Sequence, residues 1–152
     1  NSITLTMKIP VKRLLVPTPS SDGEQKKPHH IAYTDWAIVK TMSRIDLPGH
    51  GTTIPGLHHR VQGLAFAGTR GIRLVEISID NGGHWTAATL EPPSSPYAWN
   101  FWSYDCAVPA PGRYTMLVRA TDGTGKVQAS LEQDPAPDGA TGLHEITVTV
   151  SV

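Results

Sequence analysis

Val75, Ile77 and Ile79 alternate with Glu76, Ser78 and Asp80, the period of a strand with one dry face and one wet face. The same spacing recurs at Tyr114, Met116, Val118 and Ala120, and again at Ile146, Val148 and Val150. The first of these runs belongs to a longer stretch, Gly63–Trp85, in which two strand-like segments flank a Gly-Thr-Arg-Gly turn at 68–71. Asp80-Asn81-Gly82-Gly83 then offers residues that tolerate positive φ, as a tight hairpin connection needs. A partner strand is expected to open at Trp85 and Ala87.

Glycine and proline punctuate the remainder. Pro48-Gly49-His50-Gly51, Glu91–Pro96, Pro109–Gly112 and Asp122-Gly123-Thr124-Gly125 each end an apolar run. An aromatic strand is expected at Tyr97–Cys106, and a polar loop at Gln133–Gly142 precedes the last strand, His144–Val150. Six or seven short strands between such turns, with almost no helical periodicity, predict an all-β antiparallel sandwich. The Leu90–Tyr97 loop is expected to cross between its two sheets. Residues 1 to about 40 are not expected to form a domain, because Pro10, Pro17, Pro19 and Pro28 interrupt any element there. Lys8–Val16 is nevertheless apolar enough to suit an extended arm lying on another surface. Ile31–Met42 fits a short helical face or the start of a strand.

A length of 152 residues suits one domain with a real core. Net charge is zero and the charges are interspersed, so the basic stripe of a nucleic-acid or anionic-membrane binder is missing. Lys26-Lys27-Pro28-His29-His30 is short, is flanked by Asp22 and Glu24, and reads as a solvated loop. Cys106 is the only cysteine, which excludes an internal disulfide and is compatible with cytoplasm or periplasm. No apolar run approaches a membrane span. Asn1 in place of methionine leads to the expectation of a piece of a longer protein.

Seven histidines invite a metal reading. His29-His30 and His58-His59 are adjacent pairs whose side chains diverge on extended backbone, and no ligand spacing or cysteine pair accompanies them. Cys106 has only Asp105 and Ala107 beside it, no cation to lower its pKa, and a predicted strand around it, so it reads as a small buried hydrophobe. The chain carries no G-x-S-x-G elbow and no phosphate-cradling loop. No acid, base and electrophile assemble, and no catalytic or metal-binding residue is assigned.

Both faces of the aromatic strand are apolar. Trp99 and Phe101 share one face, Trp102 and Tyr104 the other. Leu64 and Phe66 likewise oppose Val61, Gly63, Ala65 and Ala67 on their strand. One core does not need so much apolar surface. A protein-contact surface is favoured over loops covering the second face, with sugar-binding platforms behind both.

These segments also resemble a known family. G-L-A-F-A-G-T-R-G-I-R-L-V-E-I-S-I-D-N-G-G-H-W-T-A-A-T-L is similar to the signature of the C-terminal domain of sulfite oxidase-type molybdenum enzymes, G-x-A-W/F-x-G followed by R-G-I-x-x-V-E-V-S-x-D-G-G-x-T-W-x-x-A-x-L. Y-A-W-N-F-W resembles its A-W-x-L-W strand, and G-R-Y-T-M-L-V-R-A-T-D-G-T-G-K-V-Q its run ending in R-A-x-D-x-x-G-x-x-Q. L-H-E-I-T-V-T-V resembles its closing W-H-x-V-x-V-x-V, and Met42–Pro48 with Gly51 its K-S-x-I-x-x-P-x-x-G opening. The resemblance covers about residues 41–152, and Met7–Val11 is similar to the linker after the molybdenum domain in bacterial members.

The resemblance implies an immunoglobulin-like, E-set sandwich at 41–152, preceded by an arm at 1–40 from a molybdopterin-binding domain. It implies a non-catalytic domain that pairs with its twin to dimerise an oxidoreductase. Partners would be a second copy and the preceding domain, and the molybdenum–molybdopterin cofactor would lie in that domain rather than here. Cys106 is then not the molybdenum ligand, which the preceding domain carries. Animal members have a W-N-x-R-G segment whose arginine reaches toward the substrate anion. Asp134–Gly139 has two acids and no arginine in its place, which argues against a role in anion binding. Leu64, Phe66, Trp102 and Tyr104 are the residues expected at the dimer contact, and the periplasm is favoured for a bacterial parent. The competing expectation is a stand-alone extracellular immunoglobulin-like module that binds carbohydrate or protein through Tyr97, Trp99 and Trp102.

Overall fold

The computed structural model describes residues 39–131 and 141–152. Nearly all of the expected arm, most of Ile31–Met42 and most of the Gln133–Gly142 loop lie outside the described residues. Nine strands form among those described: β1 Met42–Leu47, β2 Thr53–Pro55, β3 His58–Phe66, β4 Ile72–Ser78, β5 Thr86–Ala87, β6 Thr89–Leu90, β7 Asn100–Ala107, β8 Gly112–Asp122 and β9 His144–Ser151. They build one sheet in the order β1-β3-β7-β6 and a second in the order β2-β9-β8-β4-β5. Every pairing is antiparallel except β2 with β9, which is parallel.

The period-two runs supply the filling between the sheets. Ile45, Val61, Ala65, Trp102 and Cys106 come from the first sheet. Val75, Ile77, Met116, Val118, Ala120, Ile146, Val148 and Val150 come from the second. At ~25 cal/mol per Å² of apolar area, such burial is the dominant favourable term in the fold. Ile79 is only partly buried, because it already lies in the loop after β4.

Three expectations about the connections are corrected. The aromatic strand begins at Asn100 rather than Tyr97. Pro96 interrupts extension, and the Ala98 N–H donates to the Ser95 carbonyl across a turn (3.1 Å). The Leu90–Tyr97 loop does not cross between sheets; it joins β6 and β7, which are neighbours in the same sheet. The Glu91 N–H extends that ladder to the Phe101 carbonyl at 2.8 Å. The chain crosses instead at 48–52, 56–57, 67–71, the lone Ala88 and 108–111, the connections β1–β2, β2–β3, β3–β4, β5–β6 and β7–β8. Finally, the segment between β4 and β5 is a seven-residue connection, 79–85, longer than the tight turn expected at Asp80–Gly83, with Asn81 (φ 57°) and Gly82 (φ 87°) taking the positive φ their residue types favour.

Candidate functional site

The outer face of the first sheet is built from residues of β1, β3 and β7 that point away from the core. In the β3–β7 ladder Leu64 stands opposite Phe101 and Gly63 opposite Trp102. In the β1–β3 ladder Met42 stands opposite Phe66 and Arg44 opposite Leu64. Cross-strand partners share a face, so Met42, Leu64, Phe66 and Phe101 lie together outside. Trp99, just before β7, folds onto them and stacks on Phe66 with ring centroids 5.0 Å apart and an interplanar angle of 30°. Phe101 is 57% and Trp99 44% exposed, a cost in water that no core contact offsets.

Trp102 and Tyr104 point the other way. Trp102 is 1% exposed within the core cluster, and Tyr104 packs against that cluster. The four residues expected at one contact therefore divide between two faces, with Leu64 and Phe66 outside and Trp102 and Tyr104 inside. The reason is volume. Trp102 faces Gly63, where a β-carbon would come within 2.8 Å of the indole Cζ2, and the small residues Gly63, Ala65 and Ala67 leave the room a large ring needs. Phe101 and Trp99 are the outer-face residues that sequence reasoning left out of the contact. Their shared parity opposite buried Cys106 was the available signal.

Below the aromatic cluster the same face becomes polar. A depression of about 320 Å³ lies among Asp46, Arg60, Gln62, Glu91 and Phe101. Arg60 Nη2 donates to Ser103 Oγ at 3.1 Å, and its Nε lies 3.8 Å from Asp105. The outer face of the second sheet differs throughout. Arg119 Nε donates to Glu76 at 2.8 Å while its guanidinium lies 4.1 Å above the Trp85 ring, and threonines 115, 147 and 149 occupy the neighbouring outward positions.

Two further polar clusters brace the sandwich. Asp122, buried at the end of β8, accepts from Arg70 Nε (2.8 Å), Thr124 Oγ1 (2.6 Å) and the Thr124 and Lys126 backbone N–H groups (2.9 and 3.1 Å). Burial pushes its carboxyl up, yet the Thr124 hydroxyl, Arg70 and the backbone donors together hold it well below the usual carboxylate range. At the seam between β1 and β9, His144 Nδ1 accepts the Ile45 N–H at 3.0 Å and His50 Nδ1 accepts the Thr147 N–H at 3.1 Å. Burial, with the Arg44 cation, lowers the His144 pKa.

Among the described residues no group of three or more His, Cys, Asp or Glu side chains converges as a metal would require. Cys106 is buried, and that burial pushes its thiol pKa up, against the thiolate a metal needs. His59 is turned to the Gly56 carbonyl. The described residues do not fit a molybdenum centre.

Residues 32–134 match the family described as the Mo-co oxidoreductase dimerisation domain. The chain belongs to this family. Among solved structures, the sulfane dehydrogenase SoxCD from Paracoccus pantotrophus superposes with a TM-score of 0.56 at 23% identity, over 75% of this chain and 33% of that one. The likeness shows a shared fold, and the chain spans about a third of the SoxCD chain it matches. CopC from Methylosinus trichosporium OB3b superposes at a TM-score of 0.42 and 15% identity, over 72% of this chain and 93% of its own, too low to bear on function. No curated protein matches. The immunoglobulin-like sandwich is thus that of a Mo-co dimerisation domain. The family match begins at residue 32, ahead of the expected boundary at 41.

Proposed function

We propose that two copies of this dimerisation domain pair through the outer face of the β1-β3-β7-β6 sheet, and so hold together the subunits of a sulfite oxidase-like molybdenum oxidoreductase. The cofactor belongs to the domain preceding this one in the parent. The observation that carries the reading is the aromatic cluster of Phe66, Trp99 and Phe101 on one sheet's outer face, when the opposite sheet presents the Arg119–Glu76 ion pair and threonines. Aromatic residues in the centre of a patch with a polar rim are the usual anchors of a contact. Each buries ~150–250 Å², so the cluster with Leu64 and Met42 forms the centre of a patch. The ~800 Å² per partner of a standard interface then includes the Arg60–Asp105 rim. A self-complementary face is what a two-fold dimer uses.

Equilibrium sedimentation of the chain and of Phe66→Asp and Phe101→Asp variants tests this. A carboxylate at the centre of the patch is expected to weaken self-association by at least ~30-fold, equivalent to the ~2 kcal/mol of a contact hot spot. Circular dichroism should show unchanged strands, because both side chains already lie outside the core. A dimer that survives both substitutions removes this face from the assembly. The carbohydrate alternative loses one of its three rings, since Trp102 lies in the core.

A further inference from the structure

β1 is the outermost strand of its sheet, paired only with β3, and the free edge of such a strand presents backbone donors that need covering. Here a side chain covers one of them. His144, the first residue of β9 in the other sheet, takes the Ile45 N–H on its Nδ1 at 3.0 Å. A second bond runs the opposite way: His50, in the connection that follows β1, takes the Thr147 N–H of β9 on its own Nδ1 at 3.1 Å. Two imidazoles thus fasten the same two stretches, 45–50 and 144–147, each standing in for a backbone carbonyl. A carbonyl accepts at any pH, whereas an accepting imidazole nitrogen becomes a donor once protonated.

We propose that His144 and His50 form an acid-operated latch, in which protonation of the two rings detaches the Ile45 and Thr147 amides at this seam while the sandwich stays folded. Each protonated ring would turn an N–H toward an N–H, so neither bond can persist. The charges facing His144 are Arg44 and Asp46 of β1 and the His50 ring. Arg44 and Asp46 are bonded to each other at 2.7 Å, so the one carboxylate facing the seam is already engaged. Val118, the partner of His144 in β8, is apolar, and Glu145 stands opposite Leu117 on the outer face of the second sheet. Two protonated rings would therefore repel across the seam with no carboxylate left to separate them. His50 is exposed and His144 half-buried, so protons reach both. The remaining bonds of the connection to β9 do not titrate: Gly51 N–H to the Thr147 carbonyl at 2.7 Å, and Thr149 N–H to the Thr52 carbonyl at 3.0 Å. Release is thus confined to the two histidine-capped amides. Imidazole ordinarily titrates near ~6.5, which sets the latch to open in mild acid. The inference is independent of which face pairs in a dimer.

Residue-resolved amide exchange on the full 152-residue chain at pH 7 and pH 5 decides it. Protection is taken against each amide's free-peptide rate at the same pH, with Thr149, bonded to a backbone carbonyl, as the internal reference. Relative to Thr149, Ile45 and Thr147 are expected to lose about tenfold or more of their protection at pH 5, the signature of local opening. His144→Asn and His50→Asn each put a non-titrating amide oxygen where Nδ1 stood. The first should abolish the pH response at Ile45, and the second the response at Thr147. Protection at Ile45 and Thr147 that tracks Thr149 at both pH values overturns the proposal. So does a response at only one of the two amides, or one that persists where asparagine has replaced the histidine. If circular dichroism shows that a variant has lost its strands, the two-pH comparison of the parent chain still decides.

Discussion

At Gly63 a β-carbon would stand 1.9 Å from the Arg44 carbonyl oxygen, opposite the irregular register where β1 bulges between Ile45 and Leu47. Backbone cannot yield as a flexible side chain can, so Gly63→Ala is expected to cost more than ~2 kcal/mol, read as a lowered urea midpoint. Gly49→Ala, whose β-carbon would meet nothing closer than 3.5 Å, is the matched control and should change little. His144 makes a prediction of different character. Its Nδ1 can accept the Ile45 N–H only while unprotonated, and its folded pKa lies below the ordinary value near 6.5. The unfolded chain therefore takes up the proton first as pH falls. The stabilisation is complete above about 6.5 and is lost progressively below it. His144→Asn, whose amide oxygen can take the Nδ1 position, should flatten the stability profile between pH 7 and 5 in denaturant titrations.

At the level of elements, the two connections that carry buried or bound carboxylates keep the sheets in place. Arg70 sits in the Gly68–Arg70 turn and reaches Asp122 at the far end of β8, so one ion pair ties the β3–β4 crossing to the turn after β8. Arg70→Leu leaves that buried carboxylate without its cation and is expected to destabilise by ~3–5 kcal/mol. Thr41→Val, which removes two long bonds, 3.4 Å to Asp122 and 3.3 Å from Arg70 Nη2, but leaves the Arg70–Asp122 pair, should cost less, about 1–2 kcal/mol. In the β4–β5 connection Asp80 accepts from the His84 ring (2.5 Å), from the His84 backbone N–H (2.8 Å) and from Ser78 Oγ (2.7 Å). These bonds hold its carboxyl well below the usual range. For both aspartates the folded pKa is depressed, so their contribution stands in full above the ordinary value of 3.8 and is lost as pH falls below it. Acid unfolding should thus show this second step well below the His144 step. In Asp80→Asn it should be reduced.

For the whole molecule, the two outer faces make opposite demands on their surroundings. The threonine and Arg119–Glu76 face of the second sheet is satisfied in water, while the Phe66, Trp99 and Phe101 face of the first is not. In the proposed pairing a second copy covers that surplus, and self-association is the property that tests it. Because apolar burial carries a negative heat-capacity change, calorimetric dilution of the dimer should show a positive one on dissociation. Phe101→Asp should abolish the dilution heat at concentrations where the parent chain is a dimer.

Much of this was legible in the chain alone. Period-two runs such as Val75–Ile79 and Met116–Ala120 reported strands because the pleat alternates side chains regardless of context, and Asn81-Gly82 marked a turn because few residues tolerate positive φ. The family motifs, being blocks of such residues in order, were readable for the same reason. What only the tertiary structure decided is which of two apolar faces turns inward. Trp102 and Phe101 are equally apolar to a sequence. The choice between them was made by Gly63 across the ladder, whose missing side chain leaves volume on one side of the sheet and none on the other. Sheet membership was hidden in the same way, since Leu90–Tyr97 and Ala67–Gly71 are both turns by composition and only strand pairing tells which one crosses.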